Sequence, residues 1–587
     1  MACQLYHQWV EHTIGDAATQ SELAAIAGDY DEIKDRYWRD LAFGTGGMRG
    51  VMGAGTNRIN AYTVNRATQG LAAYVLDSKR RMLGDDVCQE PLSVCVAYDT
   101  RNDSQALALS ASCVLCANGI RARIFSAPRP TPMLSFAVRH LGASAGIVIT
   151  ASHNPKEYNG YKVYGSDGGQ ITDKAAEQVF ALIRECDMFD GVYTMEPSRA
   201  REAGLLRDIG EDVESAYYCM VSALIMRKHL VQKEAACLGV LFTPLNGTGS
   251  IPVRHILKSL GFTNLAVVPE QEAPNGNFPT TPHPNPECLD VFSLALEMAK
   301  QKNPAPDLIL ATDPDCDRIG VMCATCSDGY RMLTGNQVGA LLCDYILSTR
   351  SELGTLPYGA TVVKTIVTTE LAKEICMEYS ASAIDVLTGF KYIGEQAGAL
   401  GERFVFGFEE SNGYLAGDAV RDKDGVIAAT LICEMALYHK ARGSSLPEAL
   451  EALDARHGCY RERLLPLDFP GEQGQRWIAA IMSGLRANCC RMVASDGIKR
   501  IEDFMVESAP SKNSLLLPCA DVIKLVFEDK SWIVFRPSGT EPKLKIYIGV
   551  GHACMGETEA ADRLALLEAM ALEFVNEGKY ADKYTIC

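Results

Sequence analysis

Short runs of consecutive apolar residues recur along this chain, each ending in a polar loop, and stretches with apolar residues every three or four positions lie between them. Ile147, Val148 and Ile149 form one such run, the pattern of a strand covered on both faces. Asn154-Pro155 closes the segment, because the residue before proline avoids helical geometry. Ser152 falls at the tip of the turn, where open α/β sheets place their ligands, although a serine there can also simply cap a turn or helix. The same reading predicts strands over 92–97, 238–242, 308–310, 361–363 and 404–407, and helices over 65–76, 104–117 and 291–300. Residues 1–40 read as a helical arm, with Glu32, Lys34, Asp35 and Arg36 outward and Tyr37, Trp38 and Leu41 inward. A polar helical stretch covers 172–207, and Leu387 to Gly394 reads as a loop. Alternating strand and helix patterns predict doubly wound α/β layers, repeated in three successive units. From about Arg456 the pattern changes to α+β. Strands are expected at 532–535 and 544–548, followed by a helix with Leu564, Leu567, Ala571 and Phe574 on one face behind a Thr558 cap.

Length and charge narrow this picture. At 587 residues the chain exceeds a single hydrophobic core, and three to five domains are expected. A net charge of −17 argues against general affinity for nucleic acid or anionic membranes, so an anionic substrate needs a local basic pocket. No segment approaches the roughly 20 apolar residues of a membrane span, and the N-terminus lacks a signal-peptide core, which points to a cytoplasmic protein. The 21 cysteines, an odd number spread through apolar segments, fit reduced thiols packed as small core residues. A zinc site built from the pairs Cys113/Cys116 and Cys323/Cys326 is the weaker alternative, since no histidines accompany them.

Four loops carry candidate chemistry. Asp313, Asp315 and Asp317 alternate behind an apolar strand, and three converging carboxylates would repel one another unless a cation such as Mg²⁺ joined them. Arg318 follows and could reach a phosphate beside the metal. Arg536-Pro-Ser-Gly-Thr-Glu-Pro-Lys543 has the makings of a phosphate cradle, with a forked cation, hydroxyls and a tight turn. Glu409 and Glu410 with Ser411, after a buried strand, suit sugar hydroxyls, and a solvated acidic turn is the competing reading. The glycine-dense loop Phe43 to Gly50 allows close backbone approach to a ligand and carries Arg49. His153, beside Ser152, is a candidate for proton handling. Together these parts read as phosphoryl chemistry on a sugar, with a serine nucleophile, a carboxylate-bound cation, hydroxyl binders and a distant phosphate site.

The combination Thr150-Ala-Ser-His-Asn-Pro155, Asp313-Pro-Asp-Cys-Asp-Arg318, Gly407-Phe-Glu-Glu-Ser411 and Arg536-Pro-Ser-Gly-Thr540 closely resembles the α-D-phosphohexomutase superfamily. Variant loops, including Thr388-Gly-Phe-Lys391, resemble the branch of long bacterial phosphoglucomutases and phosphopentomutase-like enzymes. The resemblance implies a heart-shaped fold of three related α/β domains with mixed sheets and a C-terminal α+β, TATA-box-binding-protein-like domain. The boundaries expected are 1–207, 208–325, 326–455 and 456–587. It implies that Ser152 carries a phosphoryl group, that Mg²⁺ is held by Ser152, Asp313, Asp315 and Asp317, and that Arg49, His153 and Lys162 assist catalysis. Substrate would be bound by Arg318, Thr388, Gly389, Lys391, Glu409, Ser411, Arg536, Ser538, Gly539 and Thr540. The expected reaction interconverts glucose 1-phosphate and glucose 6-phosphate through glucose 1,6-bisphosphate. A phosphopentomutase, a phosphomannomutase, a Mg²⁺-dependent sugar phosphatase and a silent sugar-phosphate binder are the alternatives. The expected partner is a small sugar phosphate, with no nucleic acid or membrane, for a monomer or dimer.

Overall fold

The computed structural model describes residues 2–41, 43–44, 47–83, 92–325, 329–495, 497–505, 517–538, 543–552, 555–576 and 583–586. The chain forms two compact units, Met1–Ala324 with Gly413–Leu437, and Thr325–Asn412 with Tyr438–Cys587.

The first unit is organised around the strand Ala145–Ile149, buried at every position. It lies within a seven-stranded sheet ordered Phe43–Gly44, Gly47–Val51, Tyr158–Gly165, Ala145–Ile149, Ser93–Tyr98, Arg121–Phe125 and Leu206–Ile209. The last four run parallel, and Tyr158–Gly165 returns antiparallel beside the first of them. The helices Ala61–Leu83 and Ser104–Ala117 contribute Val64, Leu71, Leu107 and Leu115 to one core with Val96, Ile147 and Ile149. Full burial of such aliphatic side chains contributes about 2 kcal/mol each. A second sheet in this unit is ordered Ile319–Ala324, Leu308–Thr312, Val240–Thr243 and Leu265–Val267, with its first pair antiparallel and the others parallel.

In the second unit, Ser382–Val386, Thr361–Thr365 and Phe404–Glu409 pair in parallel. Its C-terminal part is an antiparallel sheet ordered Ile498–Asp503, Ile523–Phe527, Trp532–Pro537, Lys543–Val550, Arg461–Asp468 and Thr585–Ile586. The long helices Gly471–Ser495 and Glu557–Asn576 bury Ile478, Leu485, Leu564 and Leu567 in one core with that sheet. Three α/β layers with mixed sheets and a fourth, antiparallel one are thus present, as the hydrophobic pattern and the family resemblance predict.

Several local expectations are corrected. The N-terminal arm is three helices, Ala2–His12, Ala17–Ala25 and Tyr30–Tyr37. Arg36 does not face outward: its guanidinium is mostly covered and pairs with Glu22 and Glu32. The stretch 172–207 is broken into helices Asp173–Glu185 and Pro197–Glu202, and the strand Leu206–Ile209 joins the first sheet beyond them. Amphipathic helix spacing at its start masked that short edge strand. The proposed loop at 387–394 becomes the helix Phe390–Leu400 after Gly389. Thr558 lies inside the final helix, which begins at Glu557, and Phe574 is only partly buried. Cys113, Cys116 and Cys323 are buried free thiols, and Cys326 lies outside the described residues. Among the described residues no helix is long and apolar enough to cross a membrane.

Candidate active site

Ser152 leaves the buried strand Ala145–Ile149 in a left-handed backbone conformation, φ 50°, which a residue with a Cβ adopts only when its surroundings impose it. Its backbone N–H donates to the Thr150 hydroxyl at 2.8 Å, and that hydroxyl in turn donates to Asp99 at 2.6 Å. Gly160 lets the neighbouring strand close on this loop, since a Cβ there would lie 2.5 Å from the Thr150 carbonyl oxygen. The serine Oγ, 2 % exposed at residue level, donates to Asp313 Oδ2 at 2.7 Å. His153 Nδ1 lies 3.3 Å from the same Oγ. Arg49 reaches the loop from the strand Gly47–Val51, donating to Asn154 Oδ1 at 2.8 Å.

The strand Leu308–Thr312 delivers the three aspartates, each no more than 1 % exposed, with carboxylate oxygens within 4.8 Å of one another. Cys316 takes φ 52°, so the chain turns sharply between Asp315 and Asp317. Asp313 Oδ1 accepts the backbone N–H groups of Asp317 and Arg318 at 3.1 and 3.0 Å. Lys162 Nζ stands 2.8 Å from Asp315 and 3.2 Å from Asp317, and Lys423 Nζ 2.8 Å from Asp317. Thr131 Oγ1 donates to Asp315 at 2.7 Å. Arg318 pairs with Glu287 at 2.6 Å and stands 3.9 Å from Asp317.

These neighbours split the three carboxyl groups. Burial, then the charges of Asp317 and Asp315, push Asp313 well above the ordinary carboxylate range. Burial and Asp317 also oppose ionisation of Asp315, but Lys162 and the Thr131 hydroxyl hold it below that range. Burial is likewise outweighed at Asp317, by Lys423, Lys162 and Arg318. Three acidic groups share this pocket with two contacting ammonium groups, and a cation in place of the Asp313 proton would let all three ionise. Oδ1 of Asp315 and Oδ1 of Asp317 are moreover buried without a hydrogen-bond donor. Hard oxygens left over in a closely spaced acidic cluster are the donor set that suits Mg²⁺, so these residues fit the ion.

In the second unit, Glu409 ends the strand Phe404–Glu409 and accepts the Gly389 N–H at 2.9 Å. Gly389, at φ 125°, starts the helix that carries Lys391, whose ammonium lies 4.9 Å from the Tyr392 ring centre. The Thr388 hydroxyl is buried without a hydrogen-bond partner, and Ser411 is partly exposed. Glu410 is tied to the hydroxyls of Thr365 and Thr368, both at 3.2 Å, which separates its role from that of Glu409. Arg536 lies at the end of the strand Trp532–Pro537, and the Ser538 N–H closes the turn onto the Lys543 carbonyl at 2.8 Å. Gly539 and Thr540, like Thr45 and Gly46, lie outside the described residues.

The structure therefore gathers Arg49, Ser152, His153, Lys162, Asp313, Asp315, Asp317 and Arg318 in one unit, and Thr388, Gly389, Lys391 and Glu409 in the other. Sequence reasoning missed Thr131 and Lys423. The charge run Arg421-Asp-Lys-Asp424 between apolar segments was the available signal: all four residues are buried, which a solvated loop would not require.

Residues 40–188, 217–327 and 334–455 match, in that order, domains I, II and III of the phosphoglucomutase/phosphomannomutase family, each described as alpha/beta/alpha. A phosphoglucomutase of Staphylococcus haemolyticus is 35% identical over 522 residues, covering 87% of this chain and 90% of that protein. A phosphoglucomutase of Staphylococcus aureus is 33% identical over 526 residues, covering 88% and 91%. Among solved structures, a putative phosphomannomutase from Thermus thermophilus superposes with a TM-score of 0.65 at 23% identity, over 91% of this chain and 99% of that one. Parafusin, a phosphoglucomutase from Paramecium, superposes in its open form with a TM-score of 0.65 at 19% identity, over 92% and 96%. Domain matches in order and relatives aligned along most of their length establish that this chain belongs to the phosphoglucomutase/phosphomannomutase family.

Proposed function

We propose that this chain is a phosphoglucomutase that interconverts glucose 1-phosphate and glucose 6-phosphate through a phosphoserine at Ser152. The observation that carries the reading is the Ser152 hydroxyl, held at 2.7 Å from Asp313 inside a buried triad with unpartnered oxygens. The relatives named phosphoglucomutase, at 33–35% identity, support glucose as the sugar. In the first step the bond between Ser152 Oγ and phosphorus breaks as one forms to O6 of glucose 1-phosphate. The proton lost by O6 is balanced by the one Oγ gains, and His153 Nδ1, 3.3 Å away, is placed to deliver it. Glucose 1,6-bisphosphate then presents its C1 phosphoryl group to Oγ by the reverse exchange, leaving glucose 6-phosphate. Mg²⁺ held by Asp313, Asp315, Asp317 and the phosphoserine would neutralise charge on the phosphoryl oxygens. Lys162, Arg49 and Arg318 add fixed positive charge for the same purpose. Thr388, Gly389, Lys391, Glu409 and Ser411 serve sugar recognition. Arg536, Ser538, Gly539 and Thr540 hold the phosphate that is not transferred.

A coupled assay with glucose 1-phosphate, run with and without the bisphosphate, tests this directly. The parent enzyme should form glucose 6-phosphate and carry one phosphoryl group by intact mass, and Ser152→Ala should lose both. Activity retained in Ser152→Ala would overturn the phosphoserine route. Higher kcat/KM on pentose or mannose phosphates would overturn the choice of sugar, and net phosphate release faster than isomerisation would favour a phosphatase.

A further inference from the structure

The loop that carries Ser152 is gripped from behind by one buried side chain. Arg101 is 4 % exposed and follows the strand Ser93–Tyr98. Its Nη2 donates to the carbonyl oxygens of Ser152 and Asn154, each at 2.5 Å. Its Nη1 donates to those of Pro155 at 2.7 Å and Tyr158 at 3.1 Å. Four carbonyls on one planar, permanently charged fork fix position as well as charge, which a single ammonium cannot reproduce. Asp99 fixes the fork in turn. It stands 3.2 Å from Arg101 Nε, and it accepts the Arg101 backbone N–H at 2.9 Å, the Ser104 hydroxyl at 2.7 Å and the Thr150 hydroxyl at 2.6 Å. The Phe278 ring covers the guanidinium at 5.1 Å. Thr150 and Ser152 are thus held by Asp99 and Arg101, two side chains that are themselves paired.

We propose that Arg101, oriented by Asp99, is a positioning residue for the phosphoryl transfer. By gathering the carbonyls of residues 152, 154, 155 and 158 it holds Ser152 in its left-handed conformation and aims Oγ at Asp313. A non-glycine residue in that region is strained and relaxes unless its neighbours over-determine it. Transfer to a sugar hydroxyl demands alignment that attack by small, abundant water does not. Loosening the loop should therefore slow transfer far more than hydrolysis. The inference rests on the phosphoserine reading above.

The test compares Arg101→Lys and Asp99→Asn with the parent, each checked for folding by its melting transition, using glucose 1-phosphate with added bisphosphate. Arg101→Lys keeps the charge and loses the fork, and its kcat should fall about a hundredfold with KM within about twofold. Asp99→Asn keeps the fork and loosens its brace, and a drop of about tenfold in kcat is expected, so it carries the test if the lysine variant does not fold. In both, the ratio of phosphate released from phosphorylated Ser152 to glucose 6-phosphate formed should rise at least tenfold, a change that a uniformly destabilised protein would not give. A folded variant with the parent's kcat and partition ratio overturns the proposal. A parent that never carries phosphate on Ser152 overturns the phosphoserine reading and this inference with it, whereas a phosphorylated parent with unaffected variants overturns this inference alone.

Discussion

Lys423 is where the electrostatics of the aspartate cluster are most exposed to test at the level of one residue. Its ammonium and the Asp317 carboxylate stand 2.8 Å apart with side chains 9% and 0% exposed, so solvent screens neither. Removing one partner of a buried ion pair costs about 3–5 kcal/mol, because the other charge stays buried without compensation. Lys162 remains 3.2 Å from Asp317, which favours the lower end of that range. Lys423→Met should therefore lose about 3 kcal/mol of unfolding free energy at pH 7 in EDTA, read from urea denaturation, and Mg²⁺ should return part of it. A urea midpoint equal to the parent's would mean that Asp317 is neutral in the fold. Asp317 was identifiable from its place in an alternating acidic run behind an apolar strand. The charge run at 421–424 singles out Lys423 as a charged residue between apolar segments, but nothing in a linear sequence ties it to a carboxylate so far along the chain.

At the level of elements, what the sequence makes legible is whatever one segment decides by itself. Ser104–Ala117 forms the helix its periodicity predicts, and the strand Ala145–Ile149 extends the apolar run at 147–149 by two small residues. The strands Arg121–Phe125 and Leu206–Ile209 escaped because each is short and carries two charged residues, so that neither shows an apolar run, and they are secured by pairing within the assembled sheet. Buried charge is hidden for the same reason. Lys364, on the strand Thr361–Thr365, meets Glu370 at 3.2 Å and Asp385 at 2.9 Å only once that sheet has assembled. The helix Gly425–Lys440 offers a test of one such group. Asp424 precedes it and accepts the N–H groups of Val426 and Ile427 at 2.8 and 3.0 Å, with the Tyr217 hydroxyl at 2.8 Å. Those donors favour the carboxylate, yet burial outweighs them and raises its pKa from 3.8 to about 6. The folded state thus holds this proton more tightly than the unfolded chain. Its contribution is fully present below about pH 4 and is lost as pH rises through about 6, a change of about 3 kcal/mol. Asp424→Asn, which cannot ionise, should gain that much stability relative to the parent between pH 4 and pH 7 in urea titrations. A difference that stays constant across the range would show that the cap ionises like an ordinary aspartate.

At the level of the whole molecule, the division into two compact units makes cation binding separable from general stabilisation. Ser152, Lys162, the three aspartates and Lys423 all belong to the first unit, Met1–Ala324 with Gly413–Leu437. An ion that binds only the folded form stabilises it by about 2.7 kcal/mol at a hundredfold excess over its dissociation constant. For a unit of this size that corresponds to a rise of a few degrees in its transition. The tryptophans allow the units to be watched apart, because Trp9 and Trp38 lie in the first, and Trp477 and Trp532 in the second. Replacing Trp477 and Trp532 by phenylalanine leaves fluorescence from the first unit, and the complementary pair of changes leaves it from the second. Millimolar Mg²⁺ should raise the transition seen by Trp9 and Trp38 over that in EDTA and leave the other within a degree. Asp317→Asn should abolish the rise, since it removes a ligand oxygen and a negative charge from the cluster. Equal shifts of both transitions, or a shift that persists in Asp317→Asn, would place the ion elsewhere and remove the cation from the site built around Ser152.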